Sequence, residues 1–205
     1  NYTVIESKTN SIPYTFEDIC KAVTILDSLI PLNYGTYSNV FRLKNGNILK
    51  FSTDDTSYYY YKYCNKYKNS KRSKYLLKFY KFKKIKQKVK SKDGPNKYIF
   101  GYLYEVEETY DLNDNAQNMF SRISKILTKE FILHKTDKIK LTYNVLKDYK
   151  FIGDTKLILE IKKVLIVWMS IYKEFKHKDI DLDIHGYNVM QRKNRQLVII
   201  DPLVE

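Results

Sequence analysis

Cysteine is nearly absent: Cys20 and Cys64 are the only two in 205 residues. Each lies in a segment patterned as helix, which speaks against a disulfide framework and for reduced thiols in a cytoplasmic protein. Long apolar runs are also missing. The most apolar stretch, Val164 to Met169, falls well short of the ~20 residues a membrane-crossing helix needs. No secretory leader pattern opens the sequence, so the expectation is a soluble protein with no membrane span. Acidic residues are scarce relative to basic ones: 37 Lys and Arg against 23 Asp and Glu leave +14. A surface of that sign draws phosphate-rich or acidic partners, which include nucleotides, nucleic acids and acidic proteins. The deficit is local as well, because residues 62–90 hold no Asp or Glu and no Glu occurs between Phe51 and Tyr104. The abundance of Lys, Asn and Tyr also fits AT-rich coding, with many lysines simply solvating the surface.

What is present suffices for a core. Apolar residues make up 43% of the chain, enough for one domain or two small lobes. Thr15 followed by Asp18 reads as a capping box with a shortened acid. Phe16, Ile19, Val23, Leu26 and Ile30 then recur at helical spacing, so a helix is expected from Phe16 to Leu29, stopped by Pro31. From there the period changes to that of strands. Val40–Leu43 and Ile48–Phe51 flank Lys44-Asn45-Gly46-Asn47, a hairpin signal that puts Lys50 on a strand. Asp54 and Asp55 open a helix through the tyrosine block to Tyr67, and Tyr75–Val89 and Lys97–Glu107 read as two further strands. Met119, Ile123, Ile126 and Leu127 mark one later helix, and Leu157 through Tyr172 a long, buried one. Val189–Met190 and Leu197–Ile200, separated by polar residues, read as a terminal hairpin. The class is α+β, with a β-rich segment over 1–108 and a helical one over 109–205.

Chemistry-bearing residues are densest near the end of the chain. Asp183, Asn188 and Asp201 stand at the edges of short strands, where a hairpin can bring them to one place. One or two oxygen side chains plus substrate phosphates are what Mg²⁺ takes, and Asn188 with Asp201 supplies such a set. Asp183 is then left to act as a base toward an acceptor hydroxyl. His185 reads as a loop-orienting hydrogen-bonding group, since no second His or Cys lies near it. His134 and His177 receive no role.

The spacings 188 − 183 = 5 and 201 − 183 = 18 resemble the catalytic loop and second metal-binding Asp of the protein-kinase-like superfamily. Asp183-Ile184-His185 and Asp201-Pro202 are similar to the forms found in aminoglycoside and choline kinase-type members. Upstream, Asn33-Tyr34-Gly35-Thr36-Tyr37-Ser38-Asn39-Val40 resembles the glycine-rich phosphate loop, keeping its middle Gly and its Val. Ile48-Leu49-Lys50 is similar to the strand lysine that pairs with phosphates, and Tyr104-Glu105-Val106-Glu107 resembles the hinge whose backbone receives adenine. A short chain of this kind resembles small phage-encoded kinase-like proteins.

The resemblance implies a two-lobed fold, with a β-rich N-lobe carrying one main helix and a reduced helical C-lobe. It also implies an ATP- and Mg²⁺-dependent phosphotransferase acting on a protein or small-molecule hydroxyl. The residues it implicates are Lys50 and Asp183 for catalysis, Gly35, Val40, Lys50, Glu105 and Val106 for nucleotide, and Asn188 and Asp201 for metal. A phage origin would put the protein in host cytoplasm or with the virion. Departures are visible: Asn33 and Ser38 replace the outer glycines, and the helix after Lys50 offers no Glu to hold it, with Asp54 or Asp55 as substitutes or simply as helix caps. They support the alternative of a pseudokinase, a binding module for an acidic partner or nucleic acid. The tyrosines from Tyr58 to Tyr63, with Lys62 and Lys66, fit either a half-buried helix or a stacking platform for single-stranded nucleic acid.

Overall fold

A computed structural model of the chain describes residues 12–21, 32–34, 38–89, 97–134, 137–148, 153–178 and 180–204. The chain is mixed α+β and divides into two compact units, Asn1–Tyr58 with Lys78–Glu108, and Tyr59–Leu77 with Thr109–Glu205. Residues 59–77 thus belong with the helical unit and not with the β-rich one.

In the first unit, the capping box forms as its spacing dictates. The Thr15 amide donates to Asp18 Oδ2 at 2.9 Å, and the Asp18 amide donates to Thr15 Oγ1 at 3.2 Å. Helix α1 (Phe16–Lys21) follows; the rest of the expected helix lies outside the described residues. Strands β1 (Asn33–Tyr34), β2 (Ser38–Arg42), β3 (Ile48–Ser52), β4 (Phe79–Val89) and β5 (Lys97–Val106) form an antiparallel sheet in the order β1-β2-β3-β5-β4. The β2–β3 turn closes with Gly46 N–H donating to Leu43 O at 2.9 Å and Gly46 at φ +85°. Only this one residue of the turn enters the left-handed region, so the hairpin uses a three-residue loop and not the two-residue turn that Asn-Gly suggests.

Residues alternate across the sheet. Phe41, Leu43, Leu49, Leu103 and Ile85 share the face that packs on Ile12, Phe16 and Ile19. Removing that apolar area from water is the main term holding the unit together. Strand β4 is an edge, and its exposed Lys81, Lys83, Lys84 and Lys86 account for part of the basic stretch as protection against edge-to-edge pairing.

Helix α2 (Asp55–Tyr67) starts at Asp54, whose Oδ1 accepts from the Thr56 amide at 2.8 Å. Its first turn counts with the first unit and the remainder with the second. The expected strand from Tyr75 begins only at Phe79. Tyr75 closes a 3₁₀ turn (Ser73–Tyr75), and Leu76 bridges to Ile199 in the second unit instead of joining the sheet.

The second unit holds α3 (Asp114–His134), α4 (Lys138–Asp148) and α5 (Thr155–Phe175). It also holds the short strands β6 (Asp181–Leu182), β7 (Val189–Gln191), β8 (Leu197–Ile199) and β9 (Leu203–Val204). Asp154 caps α5, accepting from the Lys156 and Leu157 amides at 2.8 and 3.1 Å. Trp168 lies fully buried in α5, its ring stacked at 6.0 Å on Phe120 of α3. Among the described residues, no helix is long and apolar enough to cross a membrane.

Candidate functional site

Two short ladders create the site. In one, β7 and β8 pair Val189 with Ile199, and the pairing extends one step further because the Ile200 amide donates to Asn188 O at 2.9 Å. In the other, β6 and β9 pair Leu182 with Leu203, extended by the Asp183 amide donating to Pro202 O at 3.2 Å. Asn188 therefore sits opposite Ile200, and Asp183 opposite Pro202. Asp201 is the single residue between those two anchored positions. The segment 183–188 has to loop back across it, so the backbone alone gathers Asp183, Asn188 and Asp201.

Buried polar side chains pin the strand that carries Asp201 from both sides. Tyr60 of α2, 2% exposed, donates to Ile199 O at 2.5 Å and accepts from the Leu77 amide at 3.1 Å. Burial drives its hydroxyl well above the ordinary tyrosine range, with Cys64 and Asp201 also contributing, so it stays a donor at any working pH. Trp168 Nε1 donates to Pro202 O at 2.6 Å. Outside the hairpin, Arg192 donates to Lys74 O at 2.6 Å and Leu76 O at 3.0 Å. A carbonyl held by a buried donor cannot drift without leaving both groups unsatisfied, which restrains the backbone on either side of Asp201.

Among the side chains, those of Asp183, His185 and Asn188 are in mutual contact. Asn188, 7% exposed, donates through Nδ2 to Asp183 O at 2.9 Å and to Asp183 Oδ2 at 2.8 Å. With the nitrogen so engaged, the amide orientation is set, and Oδ1 is its oxygen for accepting or ligating. His185 caps the 3₁₀ turn Gly186–Asn188, its Nδ1 accepting from the Tyr187 amide at 3.3 Å. Its Nε2 lies 3.2 Å from Asn188 Nδ2 and 3.3 Å from Asp183 Oδ2. Asn188 Nδ2 and the His185 ring thus both stand against one oxygen of Asp183, whose side chain keeps about a third of its surface, 36%, open to solvent. Among the described residues, no group of three or more His, Cys, Asp and Glu could hold a metal. The oxygen-bearing side chains on these ladders are the Asn188 amide and the carboxylates of Asp183 and Asp201, of the hard kind that Mg²⁺ takes together with ligand phosphates.

No protein-family model and no curated protein matches this chain. The site is therefore read from its own geometry.

In the first unit, the structure brings together some of the expected nucleotide residues and separates others. Val40 pairs with Lys50, and Lys50 with Tyr104, so the three share one face of the sheet, away from the α1 core. Glu105 belongs to the opposite face. Its Oε1 accepts from Asn45 Nδ2 at 2.8 Å and Asn47 Nδ2 at 2.6 Å, and its Oε2 lies 3.2 Å from Lys81 Nζ. Burial would raise this carboxyl, but those three partners outweigh it and hold it below the ordinary range. Glu105 is a hairpin anchor. Glu105 and Val106 also pair with Leu49 and Ile48 on one side and Lys81 and Phe79 on the other, which engages their backbone in the sheet. Gly35 lies outside the described residues. Asp54 serves as the α2 cap, while Asp55 accepts from the Tyr102 hydroxyl. The tyrosine block is largely packed: Tyr60 and Tyr63 are buried, and Tyr58 stacks on Tyr102 at 5.2 Å and on Phe82 at 5.5 Å.

Sequence reasoning missed a groove of about 550 Å³ between α3 and the loop after Asp183, lined by Gln117, Ser121, Lys125 and Lys129 from the helix and by His185 and Tyr187 from the loop. Its signal was legible in principle. The polar residues at 117, 121, 125 and 129 recur every four positions, a polar stripe beside the apolar one that marks the helix.

Proposed function

We propose that the chain is an ATP- and Mg²⁺-dependent phosphotransferase of two-lobed, protein-kinase-like architecture, acting on a hydroxyl acceptor. The observation that carries this reading is the convergence of Asp183, Asn188 and Asp201 on adjoining ladders, with the Asn188 amide nitrogen engaged by Asp183 and its oxygen left over. Bound there, Mg·ATP supplies the phosphoryl group and the cation that offsets its charge. Asn188 Oδ1 and the Asp201 carboxylate would hold the cation. Asp183, with Oδ2 fixed by Asn188, would orient the acceptor hydroxyl and take its proton on the other oxygen. In the first unit, Lys50 and Val40, side by side on one face of the sheet, are the residues that would meet phosphate and nucleotide. The adenine contact first assigned to Glu105 and Val106 forms no part of the proposal, because their backbone is already used in the sheet.

A second reading, a pseudokinase, draws on the two acids that follow Lys50, which serve as helix cap and as acceptor for Tyr102. Calorimetry of ATP binding with and without Mg²⁺, for the native chain and for Asp201→Ala, tests the common premise. Binding that needs the metal and is lost in the variant supports the assignment; no ATP binding by the native chain refutes it. A transfer assay on Asp183→Asn then separates the two readings. The enzyme loses transfer while keeping nucleotide affinity, whereas the pseudokinase has no transfer to lose.

A further inference from the structure

The lining of the groove beside the Asp183 loop includes none of Lys50, Asp183, Asn188 and Asp201, and it has a definite chemistry. We infer that it binds an acidic peptide segment in extended form and, resting on the phosphotransferase reading above, that this segment presents the acceptor hydroxyl. Gln117 marks the end next to the loop, because a Cβ on Gly186 would lie 2.4 Å from Gln117 Nε2. Lys125 and Lys129 lie two and three turns further along the same helix face. At 1.5 Å per residue, the 12 positions from Gln117 to Lys129 span about 18 Å, which matches about five residues of extended chain. A single small acceptor would leave much of that length unused.

Charge selects the class of peptide. Lys125 and Lys129 are the charged residues of the lining, the remainder being hydroxyl, amide, Ile184, Gly186 and the His185 and Tyr187 rings, with no carboxylate. Two lysines four positions apart on a helix repel each other, and carboxylates laid across them turn that repulsion into attraction. Tyr187 forms an aromatic rim, 82% exposed, with its ring set edge-on to His185 at 5.8 Å. That leaves a face for the backbone or side chains of a segment passing Asp183. The geometry sets a preference for Asp and Glu three to five residues from the acceptor Ser or Thr.

The test uses the full chain without nucleotide. Fluorescence anisotropy compares a labelled peptide of one serine followed by five Glu and Asp residues with its Gln and Asn counterpart. The acidic peptide is expected to bind about tenfold tighter, and Lys125→Glu/Lys129→Glu to erase that preference, since it turns two attractions into repulsions. Lys68→Glu/Lys71→Glu, an equal charge change on exposed lysines elsewhere in the second unit, should leave the preference in place. Equal binding of the two peptides, or equal loss in both double variants, overturns the inference by making the recognition a property of the overall +14 charge. Displacement of the acidic peptide by inorganic phosphate at equal concentration also overturns it, in favour of a small-anion site. Because no nucleotide is present, a chain that shows the lysine-dependent preference but never binds Mg·ATP keeps the groove and refutes only the phosphotransferase reading.

Discussion

Replacing Tyr60 with Phe removes one oxygen and nothing else. That oxygen bridges the Leu77 amide and the Ile199 carbonyl in a site 2% exposed. The ring stays, so no cavity opens, but a buried N–H and a buried C=O each lose a partner. At about 1–3 kcal/mol per orphaned group, with partial relief from relaxation, the loss comes to about 2–4 kcal/mol. This is a large share of the ~5–15 kcal/mol that keeps a typical domain folded. Trp168 is the chain's single tryptophan and lies fully buried in the same unit, so its fluorescence reports unfolding where the change is made. With a urea slope of about 2 kcal/mol per molar, the midpoint should fall by about 1–2 M at unchanged slope. The site should loosen too, because Asp201 stands two residues beyond Ile199 and loses one of its two buried anchors. A midpoint shift below about 0.3 M would mean that the hydroxyl contributes no more than water would, and the argument for a rigidly held Asp201 would fail.

Other outcomes follow from the same reasoning. Arg195 holds φ 65° in the β7–β8 loop, so Arg195→Gly should raise stability by about 0.5–1 kcal/mol in urea titration, as the left-handed strain is relieved. Asp154→Ala removes the α5 cap and should cost about 1 kcal/mol by the same assay. For Glu105 the folded state favours the ionised carboxyl, so its contribution is present above the ordinary glutamate range and is lost as pH falls through the lowered folded value. The stability gap between the native chain and Glu105→Gln, about 2 kcal/mol at pH 7, should therefore narrow in acid; a gap that is constant with pH would contradict the ion-pair account.

That Asp183, Asn188 and Asp201 come together along the backbone was legible because the cue was local. A hairpin written as two apolar runs around a polar loop brings its ends together whatever the rest of the chain does, and Asp183, Asn188 and Asp201 stand at such ends. The setting of Glu105 was not legible, for the opposite reason. Its neighbours Tyr104 and Val106 resemble a connecting segment, yet pairing to strands distant in sequence keeps the residue inside the sheet, facing Asn45, Asn47 and Lys81. The start of β4 was misplaced likewise, since Leu76 and Leu77 carry the same apolar alternation as a strand but are claimed by Ile199 and Tyr60.

The sequence by itself determined the α+β class, the hairpins and the helices marked by periodic apolar residues, though not α4, because helical and strand periods and turn residues act over a few positions. Only the tertiary structure decided that Asp201 lies between two ladders, that Tyr60 and Trp168 hold it there, and that the polar stripe of α3 closes a groove against the Asp183 loop. Those are contacts between residues 34 to 139 positions apart, and no local pattern encodes a hydrogen bond whose partner is chosen by packing.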